Sequence, residues 1–85
     1  MREVALTRSQ VALVDDADYE WLNQWKWQYN PRRTGYAQRT VDRHIVQMHR
    51  LILDAPAGLY ADHINGDSLD NRRANLRLVT PSQNL

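Results

Sequence analysis

No cysteine occurs anywhere in these 85 residues, and that absence limits the fold more than any other feature of the chain. A domain of this size buries only about two-thirds of its extended surface, so small folds commonly lean on disulfides or thiolate-bound metals. Neither is open to this chain. It has to hold together by apolar packing. With three Trp, four Tyr and no Phe, the indoles are the natural core-fillers. No apolar run approaches the ~20 residues needed to span a bilayer, and the N-terminus does not read as a signal peptide; a soluble, cytoplasmic protein is expected.

The apolar residues then fix the coarse element order. Val4-Ala5-Leu6 and Val11-Ala12-Leu13-Val14 are short runs separated by Thr7-Arg8-Ser9-Gln10, which predicts a strand, a turn and a strand. Asp15-Asp16-Ala17-Asp18 offers cap residues and first-turn carboxylates for a short helix to about Asn23. Trp25, Trp27 and Tyr29 alternate with Lys26 and Gln28, the period of a strand with one buried face. Such a stripe is more often core than a base-stacking platform. Asn30 to Gly35 reads as a loop and Tyr36 to Val41 as the returning strand. Ile45, Met48, Leu51 and Ile52 stand at helical spacing and predict a helix over 45–53, closed by Asp54-Ala55-Pro56-Ala57-Gly58.

Charge is unevenly spread although the net value is only +1. Residues 1–20 hold two Arg against five acids, residues 21–50 hold six basic groups against Asp42, and residues 51–85 hold three Arg against four acids. Ten of the eleven cationic residues are Arg, whose planar fork suits phosphate. A basic middle segment hints at nucleic acid, although solvated faces would look the same.

The last third carries the chemistry. Leu59 to Asp67 begins as a strand and meets the Asn65-Gly66 turn; Asp70 to Leu76 can form a brief helical turn capped by Asp70; Arg77-Leu78-Val79 reads as a second strand. Thr80-Pro81-Ser82-Gln83 is a compact helix start, with Thr80 at the N-cap, Pro81 at the first helical position and Gln83 where a capping box needs it. The order is strand, loop, strand, helix. A helix starting at Thr80 has a single turn inside the chain, and such a turn is expected to need packing or a partner chain to hold it.

Asp62-His63-Ile64-Asn65-Gly66, Asp70-Asn71-Arg72, Asn75-Leu76-Arg77 and Ser82-Gln83-Asn84 together resemble the HNH nuclease motif of phage and intron-encoded homing endonucleases. Met48-His49-Arg50-Leu51 and the Tyr19–Trp27 region are similar to phage-borne members. The name-giving positions would be His63, Asn75 and Asn84, 12 and 9 residues apart. The resemblance implies an α+β fold: a small antiparallel β-rich region with short helices over 1–54, followed by a ββα-metal (His-Me finger) unit over 55–85, in one compact domain. It implies His63 as general base, since histidine is the side chain that changes charge near neutral pH. Asp62 and Asn84 would hold one divalent cation. Asp62 and His63 would be brought to one side by a bend in the strand, which otherwise points Asp62 away from His63. One carboxylate and one amide suit Mg²⁺, or Mn²⁺, and give no zinc cage. Asn75 is expected to bond backbone across the loop and fix the segment carrying the base. His44 and His49 are left outside the catalytic set.

Double-stranded DNA is the implied partner and no membrane is expected. Arg32 and Arg33 at a hairpin tip, Arg39 and Arg43 after it, and Arg72, Arg73 and Arg77 near the metal site are the available phosphate clamps. Of these, Arg72 and Arg77 are expected nearest the scissile phosphate. A monomer would nick one strand and a homodimer would cut both. The resemblance also implies a phage- or prophage-encoded protein. A DNA-binding module that keeps the fold without turnover is the alternative.

Overall fold

The computed structural model describes residues 1–32 and 35–83. The first two apolar runs form an antiparallel hairpin, β1 (Arg2–Ala5) and β2 (Val11–Val14), with Val4 opposite Ala12. Val4, Ala12 and Val14 turn inward. Helix α1 (Asp16–Leu22) follows and buries Asp18 and Leu22, four residues apart on one face. Asp15 holds the N-cap position, yet its side chain makes no cap bond. Its carboxylate instead accepts the backbone N–H of Arg73 at 3.2 Å.

Next comes a three-stranded antiparallel sheet, β3 (Gln28–Asn30), β4 (Tyr36–Val41) and β5 (His44–Gln47). Two expectations fail here. The strand expected from Trp25 begins only at Gln28, because Trp27 is buried and its indole N–H donates to the Leu22 carbonyl at 2.9 Å. That bond ties the segment back to the end of α1. The helix expected over 45–53 is a strand to Gln47 and a helix, α2, only over Met48–Leu53. Asp42 and Arg43, both at positive φ (49° and 69°), make a two-residue turn that lays Ile45 and Val46 against Thr40 and Arg39. β-Branched residues suit such a ladder. Ile45 is consequently 60% exposed and is not on the apolar face of a helix.

Helix α2 buries Met48, His49 and Ile52 and closes on Asp54 in the left-handed region. The Arg50 guanidinium donates to the Leu59 carbonyl at 2.8 Å and fastens the return of the chain. Strands β6 (Tyr60–His63) and β7 (Leu76–Val79) pair antiparallel, with a single 3-10 turn at Arg73–Asn75 between them. That turn begins after Arg72 and not on an Asp70 cap. Thr80 and Gln83 do cap reciprocally: the Thr80 N–H donates to Gln83 Oε1 at 2.8 Å and the Gln83 N–H to Thr80 Oγ1 at 3.3 Å. Residues 81–83 form a turn, and the helix expected to carry Asn84 falls on residues outside the described ones. The strand–loop–strand order is present; the complete ββα order is not shown.

One apolar cluster draws on most of the chain: Val4, Ala12, Val14, Leu22, Trp27, Ala37, Met48, Ile52 and Leu76. It touches every sheet and both helices, so the arrangement is a mixed α+β packing around a shared core. Among the described residues no helix is long and apolar enough to cross a membrane.

Candidate active site

Three rings meet where β6, α2 and β4 converge. The His49 and His63 centroids are 4.7 Å apart, Tyr36 lies 4.4 Å from His49, and Tyr36 stacks on His63 at 5.6 Å. Two of them, Tyr36 and His49, border a cleft of about 250 Å³ that Gln47, Arg50, Tyr60, Ala61 and Asp62 also line; His63 lies behind them. Asp62 is the carboxylate in that wall. Its side chain is 29% exposed and pairs with Arg77 across the ladder, at 2.9 and 3.0 Å.

His63, by contrast, is only 9% exposed. Its Nε2 lies 2.7 Å from the Asn71 side-chain oxygen. Nε2 therefore carries a hydrogen and donates; in the neutral ring the lone pair is then on Nδ1. Asn71 is fully buried, and its amide nitrogen has no partner among the described residues. A buried, unpaired donor is costly, of order 1–3 kcal/mol. It is tolerated because the rest of the fold fixes Asn71: its backbone N–H donates to the Leu13 carbonyl, and Leu13 donates in turn to Leu69, both at 2.8 Å. The edge of β2 thus sets the depth at which Asn71 meets the histidine.

The loop after His63 is closed by Asn75. Its side-chain oxygen accepts the Asn65 N–H at 3.0 Å, and its amide donates to Asn65 Oδ1 and the Asp70 carbonyl, both at 2.9 Å. The backbone carbonyl of Asn75 takes the Ile64 N–H at 2.8 Å. Gly66, at φ 80°, permits the turn that allows this.

A family profile described as HNH endonuclease matches residues 39–85, more than half of the chain. The chain belongs to that family. It is 36% identical over 69 residues to a protein of Acanthamoeba polyphaga mimivirus named an uncharacterized HNH endonuclease, a match covering 74% of this chain and 35% of that one. It is 43% identical over 42 residues to the SPbeta prophage-derived YosQ of Bacillus subtilis, which bears the name of an HNH homing endonuclease; there the shares are 44% and 24%. The chain therefore spans about a third or less of these relatives. No solved structure matches it.

Within this HNH chain, the structure brings Asp62, His63 and Asn75 into one neighbourhood. The bend expected between Asp62 and His63 is absent: the β6–β7 register runs unbroken through both, so their side chains leave the strand on opposite faces. Asp62 enters the cleft wall, while His63 meets its rings from the buried side. Arg33 and Asn84 lie outside the described residues. Arg32 is exposed near the turn after β3, its backbone N–H bonded to Asn30 Oδ1. Arg39 lies over Trp25 at 4.3 Å and Trp27 at 5.8 Å. The Arg72 fork is taken by Asp70, with both contacts at 2.7 Å. The Arg73 fork grips buried Asp18 at 2.8 and 2.9 Å. Arg72 and Arg73 thus fasten the loop instead of presenting free forks.

Sequence reasoning passed over Asn71, Tyr36 and His49. Asn71 stood inside the Asp70-Asn71-Arg72 motif, and His49 beside Arg50 in a quoted one, so the signal was present. Burial pushes the His49 imidazole down to about 4, with His63 and Arg50 adding to the shift; His49 is neutral at physiological pH.

Proposed function

We propose that this chain is the nuclease unit of an HNH DNA endonuclease that hydrolyses phosphodiester bonds in duplex DNA. The observation that carries the reading is the convergence at the end of β6. Asp62 walls the cleft, while His63, anchored through Nε2 to Asn71, keeps its lone pair on Nδ1. His63 is the general base: Nδ1 accepts the proton of the attacking water while Nε2 stays pinned. His49 also borders the cleft, but at about 4 its basicity lies some three units below neutral pH, a poor match for proton abstraction. Asn75 holds the His63 loop.

The donor chemistry at Asp62 fits a divalent cation. A single carboxylate in an open wall suits Mg²⁺ or Mn²⁺, which retain waters and take phosphate oxygens; Asn84 is the proposed second ligand. Such a cation supplies charge neutralisation at the phosphate and the leaving oxygen. Arg77, turned from Asp62 toward a phosphate, adds a positive charge beside it. Plasmid cleavage in Mg²⁺ or Mn²⁺ tests the reading. His63→Ala is expected to abolish nicking, and unchanged activity in that variant would sink the mechanism.

A second reading has its own support: the Asp62 carboxylate is engaged by Arg77 and His63 is largely covered. That suits a DNA-binding module without turnover. Binding that survives EDTA, with no cleavage in any divalent metal, would favour it. A homodimer that cuts both strands remains a proposal, read from whether the products are nicked or linear.

A further inference from the structure

Directly opposed residues in an antiparallel ladder carry their side chains on the same face. The register sets Gln28 opposite Gln38, and Gln38 opposite Gln47. Three glutamines therefore form one row straight across β3, β4 and β5. Gln28 is exposed and the other two are partly so, and none of the three side-chain amides has a partner among the described residues. The next row toward the candidate site is Asn30 with Tyr36, and the next row away is Thr40 with Ile45, which is 60% exposed. Gln47 and Tyr36 both line the candidate cleft. The face is thus continuous with the place where the backbone would be cut, and none of these seven residues is acidic.

We propose that this glutamine row reads base edges in the major groove of duplex DNA beside the cleavage position. The inference rests on the nuclease reading above. A glutamine amide presents a donor and an acceptor side by side, the complement of adenine N7 and N6–H₂, and an exposed aliphatic such as Ile45 suits a thymine methyl. Neighbouring strands lie about 4.8 Å apart, so the row spans roughly 10 Å and fits a groove about 12 Å wide. Exposed Arg32 in the turn after β3 and exposed Arg43 in the β4–β5 turn stand beyond opposite ends of β4. With the row across the groove the strands run along it, so these two arginines stand up and down the groove from the row, in positions for phosphate contacts along its rim. Arg43 holds its place at positive φ, where a glycine would be unstrained.

The test is selection from a randomised duplex pool in EDTA by the whole chain and by Gln28→Ala, Gln38→Ala and Gln47→Ala. The wild type is expected to enrich adenine at fixed positions. Each variant should relax the preference at one or two base pairs by about 5- to 100-fold. Affinity for unselected duplex and its salt dependence should change less than about twofold, because phosphate contacts set both. Replacing a selected adenine by 7-deazaadenine leaves the protein untouched; it should weaken the wild type and not the matching variant. Preferences unchanged in all three variants, or indifference to 7-deazaadenine, overturn the inference alone, as does wild-type binding without any preference. A wild type that binds no duplex overturns the nuclease reading as well.

Discussion

Asn71 spends a buried amide on holding one imidazole nitrogen. Its oxygen meets His63 Nε2 at 2.7 Å while its own nitrogen goes unpaired. This gives Asn71→Leu an unusual expected outcome. The variant removes one unsatisfied donor but orphans another, the His63 Nε2–H, so the net loss is one hydrogen bond and stability should fall by only about 1 kcal/mol. Cleavage should nevertheless fall at least about tenfold, because the ring loses the contact that fixes its tautomer and orientation. A chemical melt beside a nicking assay checks both halves. Loss of stability and activity in proportion would make Asn71 merely a packing residue. The ¹⁵N shifts of the His63 ring provide a third readout, since a purely structural role would leave the tautomer in place.

At the scale of elements, the loop between β6 and β7 is clamped by the N-terminal half. Leu13 bridges in parallel to Asp70, Asp15 takes the Arg73 N–H, and the Arg73 fork closes on Asp18. Asp18 is buried, and the Arg73 guanidinium beside it holds its carboxyl below the usual carboxylate range, against the opposing effect of burial. Removing one partner of such a pair strands a charge. Arg73→Ala is expected to cost about 2 kcal/mol, toward the low end because water reaches the Arg73 side. Urea denaturation at pH 7 measures it. Arg73→Ala should also weaken nicking more than its stability loss explains, since the same clamp positions Asn71. The clamp joins residues 55 and 58 apart in sequence, and nothing local in Asp15-Asp16-Ala17-Asp18 announces it. The β4–β5 hairpin was hidden for a different reason. Its turn uses Asp42-Arg43 in place of the Asn-Gly pair that normally marks a two-residue turn. Helical spacing over 45–52 therefore looked continuous when only 48–53 is helix.

The pH dependence of stability belongs to the whole molecule. His49 is buried and neutral, with its pKa lowered from 6.5 to about 4. Between those values the unfolded chain binds a proton that the folded chain does not, so stability rises with pH across that window. Its contribution is complete above about 6.5 and is lost as pH falls to about 4, by up to about 3 kcal/mol. Asp18 and Asp70 are depressed by Arg73 and Arg72 respectively. Their contributions persist above 3.8 and are lost below it, toward their folded values. The melting temperature should therefore decline in two stages on acidification. His49→Phe, which keeps a packed ring, should remove the first stage and spare the second; thermal melts from pH 7.5 to 3 check this.

The amino-acid sequence already carries the family, the hairpin at residues 4–14, the strands flanking the Asn65-Gly66 turn and the cap at Thr80. Each of these is written in neighbouring residues, as side-chain period, turn chemistry or a motif of fixed spacing. It placed Asp62, His63 and Asn75 within a short stretch, but not what surrounds them. Packing, and not the local sequence, makes His63 lean on Asn71 and stack with Tyr36 and His49, and sets Arg72 and Arg73 to fasten the loop. It alone set three glutamines from separate strands in one row. The reason is physical: hydrogen bonds within a turn are local, whereas ring stacking, buried ion pairs and cross-strand rows depend on register and burial, which only the assembled core fixes.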